Sequence, residues 1–380
     1  MMRVLQVPPR YAPYIGGVEA VAQATAEGLV RAGHRCEVVC ADVPRGAASI
    51  VGDVTVHRLR APLSIANTQI TIGLPWWLWR ASYDVVHAHL PTPWSADWAI
   101  IVGKLRRRRT VLTVYNEIVG GGVEAPAAWL YRTTVQRLTL ALADALIVQS
   151  PTRARYLAAR HPRIAAKIVT IPNGVDTRTY CPPVNRPESG ALLFVARLDR
   201  FHRYKGLEVL IRAMVDVSGE LEVVGDGELL DEYRRYASAY GVEERITFRG
   251  DVGAAELLTL YQTCSVFVLP SSVVAYEGGS SLVVLEAMSC GMPVIVADGA
   301  GDIAEEVQRV GCGLRVPAAD SGALASAIRS LEADPDARTA MGSAGREYVA
   351  RRRSWDRIVE AYVDVYDPEV RLSSCGPPRG

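Results

Sequence analysis

A glutamate stands in the middle of an apolar run at residues 276–296, YEGGSSLVVLEAMSCGMPVIV, where Glu286 follows Leu282, Val283, Val284 and Leu285. A buried carboxylate is costly unless it is paired or hydrogen-bonded, so this position asks for a polar partner. Ser280 or Ser281 can cap a helix running to about Cys290, with Gly291 and Pro293 ending it. The amides of Gly278, Gly279, Ser280, Ser281 and Leu282 then stand at the positive end of that helix, suited to hydroxyls or an anion. Glu286, one turn further in, can accept two hydroxyl hydrogen bonds, as a ribose 2′,3′-diol offers, at about 1.5–3 kcal/mol each. The competing reading is a structural Glu286 paired with an arginine at a helix-packing face.

A second group lies in LLFVARLDRFHRYKGLEVL, where a strand ends at Arg197 and Lys205-Gly206 opens a helix. Two cations at the carboxyl edge of a strand suit a leaving diphosphate, arginine by its fork and lysine as a point charge. A solvated basic loop is the plain alternative, although Lys205 is one of only three lysines in the chain. A third candidate is Gly16-Gly17 in PPRYAPYIGGVEAVA, between a first strand and a first helix, where backbone can approach a phosphate closely.

These residues need rigid elements to hold them. Short β-branched runs alternate with amphipathic stretches: RVLQV, RCEVVC, VTVHRL, DVVHAH, TVLTV and ALIVQ read as strands, and VEAVAQATAEGLVRAGH as a helix stopped by Gly33. Such alternation implies parallel sheets covered on both faces. The Pro- and Gly-rich stretch after 171 reads as a linker, and the pattern then restarts. The expected fold is therefore α/β with two doubly wound Rossmann-like lobes and an interlobe cleft. Its expected divisions are 1–171, 172–350, a terminal helix at 351–367 and a flexible tail at 368–380.

Composition narrows the class. Length 380, 49% hydrophobic and 22% charged residues describe a globular protein of ordinary make-up. A net charge of +1 argues against a dedicated nucleic-acid partner. Seven cysteines without a C-x-x-C pair fit reduced thiols in a cytoplasm, and no run reaches a membrane span.

Taken together, YIGGVE, VARL…RYKG, VVGDGE and EGGSSLVVLEAMSCGMPVIV resemble the retaining glycosyltransferases of family 4, which have the GT-B fold, and SWDRIVEAY is similar to their terminal helix that crosses back to the first lobe. The resemblance implies that a sugar moves from a nucleotide-diphosphate sugar, UDP-sugar before GDP-sugar, to a hydroxyl-bearing acceptor in cell-envelope glycan, lipid-linked sugar or natural-product synthesis. It implies that Glu286 holds the ribose, Arg197 and Lys205 the diphosphate, Gly16 and Gly17 the phosphates from the other lobe, and Glu277 with the amides of 278–282 the donor sugar. It implies no required cofactor and no bound metal, a divalent cation at most stimulating the reaction. No protein nucleophile is needed, since in this family a phosphate oxygen takes the acceptor's proton. Two departures stand out. Eight residues separate Glu277 from Glu286 where the family has seven, and Tyr115, followed by Asn116 and Glu117, occupies the place of a family histidine.

Rival signals are present. Gly299-x-Gly301-x-x-Ala304, with Asp320 downstream, passes for a dinucleotide fingerprint and would make the chain an NAD-dependent oxidoreductase. A sugar-nucleotide-binding relative without catalysis, or an epimerase, is the other alternative. His87 and His89 share a strand face, as metal ligands or as core, and Asp334-x-Asp336 has the look of a metal motif in a solvated loop. LPWWLWRA (74–81) with the basic run Arg106–Arg109 offers a peripheral contact at the inner face of a membrane, against tryptophans that serve the core and arginines that wet a helix end.

Overall fold

The computed structural model describes residues 1–14, 16–65, 68–90, 92–115, 125–185, 190–272 and 281–367. It divides into two compact units, Met1–Asn173 with Trp355–Gly380, and Gly174–Ser354.

The first unit contains β1 (Arg3–Val7), β2 (Arg35–Ala41), β3 (Ile50–Val51), β4 (Val54–Leu59), a small hairpin of β5 (Leu63–Ile65) and β6 (Thr68–Ile70), then β7 (Val85–Leu90), β8 (Arg109–Val114), β9 (Ala145–Val148) and β10 (Ile168–Thr170). The main sheet runs β10-β9-β8-β7-β1-β2-β4-β3, parallel except for the β3–β4 edge pair. Every residue of β7 and of β9 is buried, which is why those strands read as continuous apolar runs broken only by histidines. The chain leaves β1 first toward β2 and later returns beside it as β7, so the switch point of strand order lies between β1 and β7. Gly16 and Gly17 lie in the connection out of β1, at that switch point.

The helix Trp355–Tyr366 belongs to this first unit. It packs on the helix Gly17–Arg31, where a Cβ on Gly28 would come within 2.4 Å of Val359 Cγ2, so the missing side chain makes the notch that receives it. Tyr362 and Tyr366 on its inner face are buried.

The second unit has six parallel strands, β11 (Leu192–Val195), β12 (Leu221–Val224), β13 (Ile246–Gly250), β14 (Val266–Leu269), β15 (Val294–Ala297) and β16 (Gly313–Val316), in the order β13-β12-β11-β14-β15-β16. Its switch point lies between β11 and β14. The unit extends past the expected end at 350 because Arg353 is fixed inside it. Its guanidinium pairs with buried Glu306, and its carbonyl accepts the Val175 amide at 2.8 Å. The first boundary, at 173/174, falls in the Pro-Asn-Gly stretch.

Candidate active site

In the second unit the connections out of β11, β12 and β14 are welded together through glycines. Gly206, at φ 84°, caps the helix Leu207–Ala213, and a Cβ there would sit 2.1 Å from the Pro270 carbonyl oxygen. A side chain is thus excluded twice, by the left-handed backbone and by the carbonyl. The same turn accepts the Ser272 amide on the Tyr204 carbonyl at 2.7 Å. After β12, Gly225 and Gly227 lie against the backbone of Ala196 and Leu198, where a Cβ would come within 1.8 and 2.4 Å. The visible clue was G-x-G after a strand in VVGDGE; what the sequence did not tell is that these glycines serve the backbone flanking Arg197.

Arg197 and Lys205 therefore project from one braced connection at the switch point. Arg197 is exposed, its Nε 3.4 Å from Asp199. Asp199 shapes the loop by accepting the amides of Phe201 and His202 at 2.9 and 3.0 Å and His202 Nδ1 at 2.7 Å. Lys205 is half-buried, with Nζ 5.0 Å from the centre of the Tyr204 ring.

The helix Leu282–Ser289 follows the β14 connection. Val284, Leu285, Ala287, Met288 and Ser289 are buried, while Glu286 is half-buried. Ser281, one of the two serines expected there, stands at its N-cap, although its side chain makes no capping bond. Leu282 is the first helical residue. Glu277, Gly278, Gly279 and Ser280 lie outside the described residues, as do Asn116 and Glu117.

Glu286 does have polar partners, and among the described residues no arginine is one of them. Tyr261 donates its hydroxyl to Glu286 Oε2 at 2.9 Å, and Tyr180 donates a second hydrogen bond. The nearby Arg346 donates instead to the carbonyls of Thr177, Tyr180 and Ser289, at 3.0 Å each. Burial raises the Glu286 carboxyl to about 7, while the two tyrosine hydrogen bonds pull it down. Burial also lifts the Tyr261 phenol well above its ordinary range, so it stays a donor. A carboxylate has roughly four lone-pair sites, so two tyrosines leave capacity for a diol. Neither tyrosine was foreseeable, being distant from Glu286 in sequence.

In the first unit, Gly16 is the N-cap of the helix Gly17–Arg31, in extended conformation with φ −169°. A Cβ on it would lie 2.3 Å from Glu19 Oε2, whereas one on Gly17 would meet nothing within 4 Å. Glu19 is buried and pairs with buried Arg10 at 3.4 Å. That ion pair beside the glycine turn was not singled out in the sequence.

Tyr115, just after β8, closes a buried hydrogen-bond chain. Gln6 Nε2 donates to the Tyr366 hydroxyl at 3.1 Å, and the hydroxyl donates to His87 Nδ1 at 2.8 Å. His87 Nε2 then donates to Thr113 at 2.7 Å. Gln6 Oε1 accepts from His89 Nε2 at 2.8 Å, leaving His89 Nδ1 to accept from the Tyr115 hydroxyl at 3.1 Å. Burial depresses both imidazoles, His89 to about 3, so both are neutral, as this donor order requires. Burial likewise raises the Tyr115 phenol far above its usual range. His87 and His89 are core residues of this unit.

The rival motifs are absorbed by the fold. Asp320 caps the helix Ser321–Ala333 by accepting the Ala323 amide at 2.9 Å, and Asp334 caps the helix Pro335–Arg352 through the Ala337 amide at 2.9 Å. The dinucleotide fingerprint thereby loses its acidic ribose ligand to a helix cap. Among the described residues no cluster of three His, Cys, Asp or Glu side chains is arranged for a metal, and no helix is long and apolar enough to cross a membrane. The tryptophans of the helix Leu74–Arg80 divide between the two readings: Trp77 packs against the core, whereas Trp76 and Trp79 are 64% and 52% exposed.

Comparison with known proteins agrees with this geometry. Residues 15–179 match the family described as Glycosyltransferase Family 4, and residues 184–348 match Glycosyl transferases group 1. A GDP-mannose-dependent alpha-(1-6)-phosphatidylinositol monomannoside mannosyltransferase of Mycolicibacterium smegmatis is 31% identical over 67% of this chain and 70% of its own length. The chain belongs to glycosyltransferase family 4. The mannosyltransferase of the same description from Mycobacterium tuberculosis is 28% identical to this family 4 glycosyltransferase over 96% of this chain and 98% of its own. Among solved structures, sucrose-phosphate synthase from Thermosynechococcus elongatus superposes with a TM-score of 0.73 at 25% identity, covering 96% of this chain and 98% of that one. The two parallel-sheet units are those of the GT-B fold, and the donor is a nucleotide sugar.

Proposed function

We propose that this glycosyltransferase transfers a sugar, with retention of anomeric configuration, from a GDP-sugar to a hydroxyl acceptor. The expectation from sequence put UDP-sugar first; the GDP-mannose dependence named for a relative aligned along nearly its full length favours GDP. Glu286 carries the reading: a carboxyl held by two tyrosine donors, with acceptor capacity to spare, suits the 2′,3′-diol of the nucleotide ribose. Arg197 and Lys205, on a braced connection at the switch point, take the diphosphate. As the anomeric carbon–oxygen bond breaks, negative charge grows on the leaving phosphate, and cations already fixed there stabilise it without reorganising. Glu277 and the amides from Gly278 to Leu282 address the donor sugar, and Gly16 with Gly17 the donor phosphates. Tyr115, a buried neutral hydroxyl whose proton goes to His89 Nδ1, is not a base. Thermal stabilisation by a panel of GDP-, UDP- and ADP-sugars tests the base: the GDP-sugars should raise the melting temperature most, and a clear preference for UDP-sugars would overturn this part.

The same enzyme meets a membrane peripherally through its first unit. Trp76 and Trp79 present indoles to solvent, and Arg106 ties the end of the neighbouring helix Ser95–Leu105 to the carbonyls of Leu78 and Ala81, bringing exposed Leu105 and Arg107 beside them. Aromatic and basic side chains together favour an anionic lipid surface. Sedimentation with anionic vesicles should fall when Trp76 and Trp79 become alanine; unchanged sedimentation would contradict it.

A further inference from the structure

Glu286 draws both of its partners from outside its own helix. Tyr261 stands in the helix Ala254–Thr263, fully buried and set edge-on to the Tyr180 ring at 5.9 Å between centres. Its hydroxyl donates to Glu286 Oε2 at 2.9 Å. Tyr180 arrives from another direction, at the end of the turn by which the chain enters this unit after Asn173. That turn is fixed along its length. The Val175 amide is held by the Arg353 carbonyl at 2.8 Å. Asp176 accepts the Arg178 amide at 3.0 Å and the Thr179 hydroxyl at 2.6 Å, closing an Asx turn. The Tyr180 amide donates to the Asp176 carbonyl at 2.8 Å. The Tyr180 carbonyl accepts the Ser289 hydroxyl at 2.5 Å and Arg346 at 3.0 Å, so the turn is tied to the very helix that carries Glu286.

The kind of partner matters. A guanidinium on Glu286 would cancel its charge and take both oxygens, whereas hydroxyl donors orient the carboxylate and leave the charge in place for a ligand. Arg346, on the packed helix Pro335–Arg352, is committed to the carbonyls of Thr177, Tyr180 and Ser289. The strands β14 and β15 packed against the Glu286 helix carry no ionisable residue, and Cys290 at its end is a buried thiol. The two phenols thus dominate the setting of this carboxyl. Burial pushes it up and both phenols pull it down, leaving it at about 7. A carboxylate free to rotate serves one hydroxyl as well as two; one pinned by fixed donors offers its remaining lone pairs in fixed directions, and a second hydroxyl then adds its full bond.

We infer that Tyr180 and Tyr261 are positioning residues that hold the Glu286 carboxylate in the orientation that takes both hydroxyls of a ribose, and thereby set this transferase's preference for a ribonucleotide over a 2′-deoxyribonucleotide donor. The inference rests on the proposed function for the ribose, and on the geometry of the turn and the two phenols for the positioning.

Two measurements on the full chain test it, the first without any ligand. Carbon-13 NMR of protein labelled at glutamate carboxyls follows the Glu286 titration, assigned by its absence in Glu286→Gln. Tyr180→Phe and Tyr261→Phe each remove one hydroxyl and keep the ring. Each should move the midpoint upward from about 7 by about one pH unit, the equivalent of one lost charge-assisted bond. The second is calorimetric titration with GDP and 2′-deoxy-GDP at pH 9, where the carboxyl is largely charged in wild type and variants alike. Wild type should prefer GDP by about tenfold or more, and either phenylalanine variant should cut that ratio by about threefold or more. Tyr366→Phe, which strips a buried hydroxyl from the other unit, should change neither readout. A midpoint that stays in place, or a tyrosine variant that weakens GDP and 2′-deoxy-GDP equally, overturns the positioning role; loss of GDP affinity in Glu286→Gln then leaves the ribose reading standing. A midpoint that moves in a chain whose wild type binds both nucleotides equally overturns instead the ribose role of Glu286. The two variants are independent, so if one fails to fold the other decides.

Discussion

The two units build their interiors from the same parts and treat polar groups in opposite ways. In the first, Gln6, His87, His89, Thr113, Tyr115 and Tyr366 form a chain in which donors and acceptors alternate, with every imidazole neutral. In the second, Glu286 has two hydroxyl donors, a carboxyl raised to about 7 and room for more. A closed network stabilises and specifies a fold, whereas an incompletely satisfied carboxylate at the edge of a sheet is ready for a ligand. The contrast separates a closed polar network from an open one where residue type alone does not.

Breaking the second unit's side should cost most in rate. Lys205→Ala should lower kcat by roughly 10²–10³ with a smaller change in donor affinity, since the charge it meets grows only in the transition state; an unchanged kcat in steady-state assays would remove the lysine from the mechanism. Glu286→Gln should weaken donor binding by about 1.5–3 kcal/mol, the worth of a charge-assisted bond. It should also abolish a pH dependence. Because burial raises this carboxyl above its unfolded value, it is protonated below about 7 in the free protein and charged above. Wild-type affinity for GDP should therefore rise from pH 6 to pH 8, with proton release on binding near neutrality. By the same sign, the contribution of Glu286 to ligand-free stability declines as pH climbs from its unfolded value toward 7. Calorimetry in two buffers of different ionisation heat reads the proton directly.

On the first unit's side the effect is on folding. Tyr366→Phe strips Gln6 and His87 of a shared partner and should cost about 1–3 kcal/mol in denaturant unfolding, with GDP affinity unaltered. A change in GDP affinity there would erase the distinction between the two units. The smallest effect belongs to a cap: Asp334→Ala should lose about 0.5–2 kcal/mol of stability and no activity, metal added or not.

The sequence carried the fold well because β-branched runs and helical spacing are local signals. RVLQV and the helix after Gly16 fall where the pattern puts them. Glu286, Arg197 and Lys205 stood out as polar groups placed against the expectations for their neighbourhoods. What was illegible is what long-range contact decides. Gln6 and Tyr366 meet across nearly the whole chain, so nothing local distinguished His87 and His89 as core from the same pair as ligands. Tyr180 and Tyr261 reach Glu286 from separate elements. For the tryptophans of LPWWLWRA residue type left membrane contact and core both open; a short helix with Leu74 and Leu78 inward sends the Trp76 and Trp79 indoles outward.

Gly206 has a practical corollary. With no atom to spare between it and the Pro270 carbonyl, the lysine turn and the stretch leading into residues 273–280 move as a single piece. An engineer who transplants 273–280 from a relative should therefore carry 203–206 and 270–272 along as one cassette.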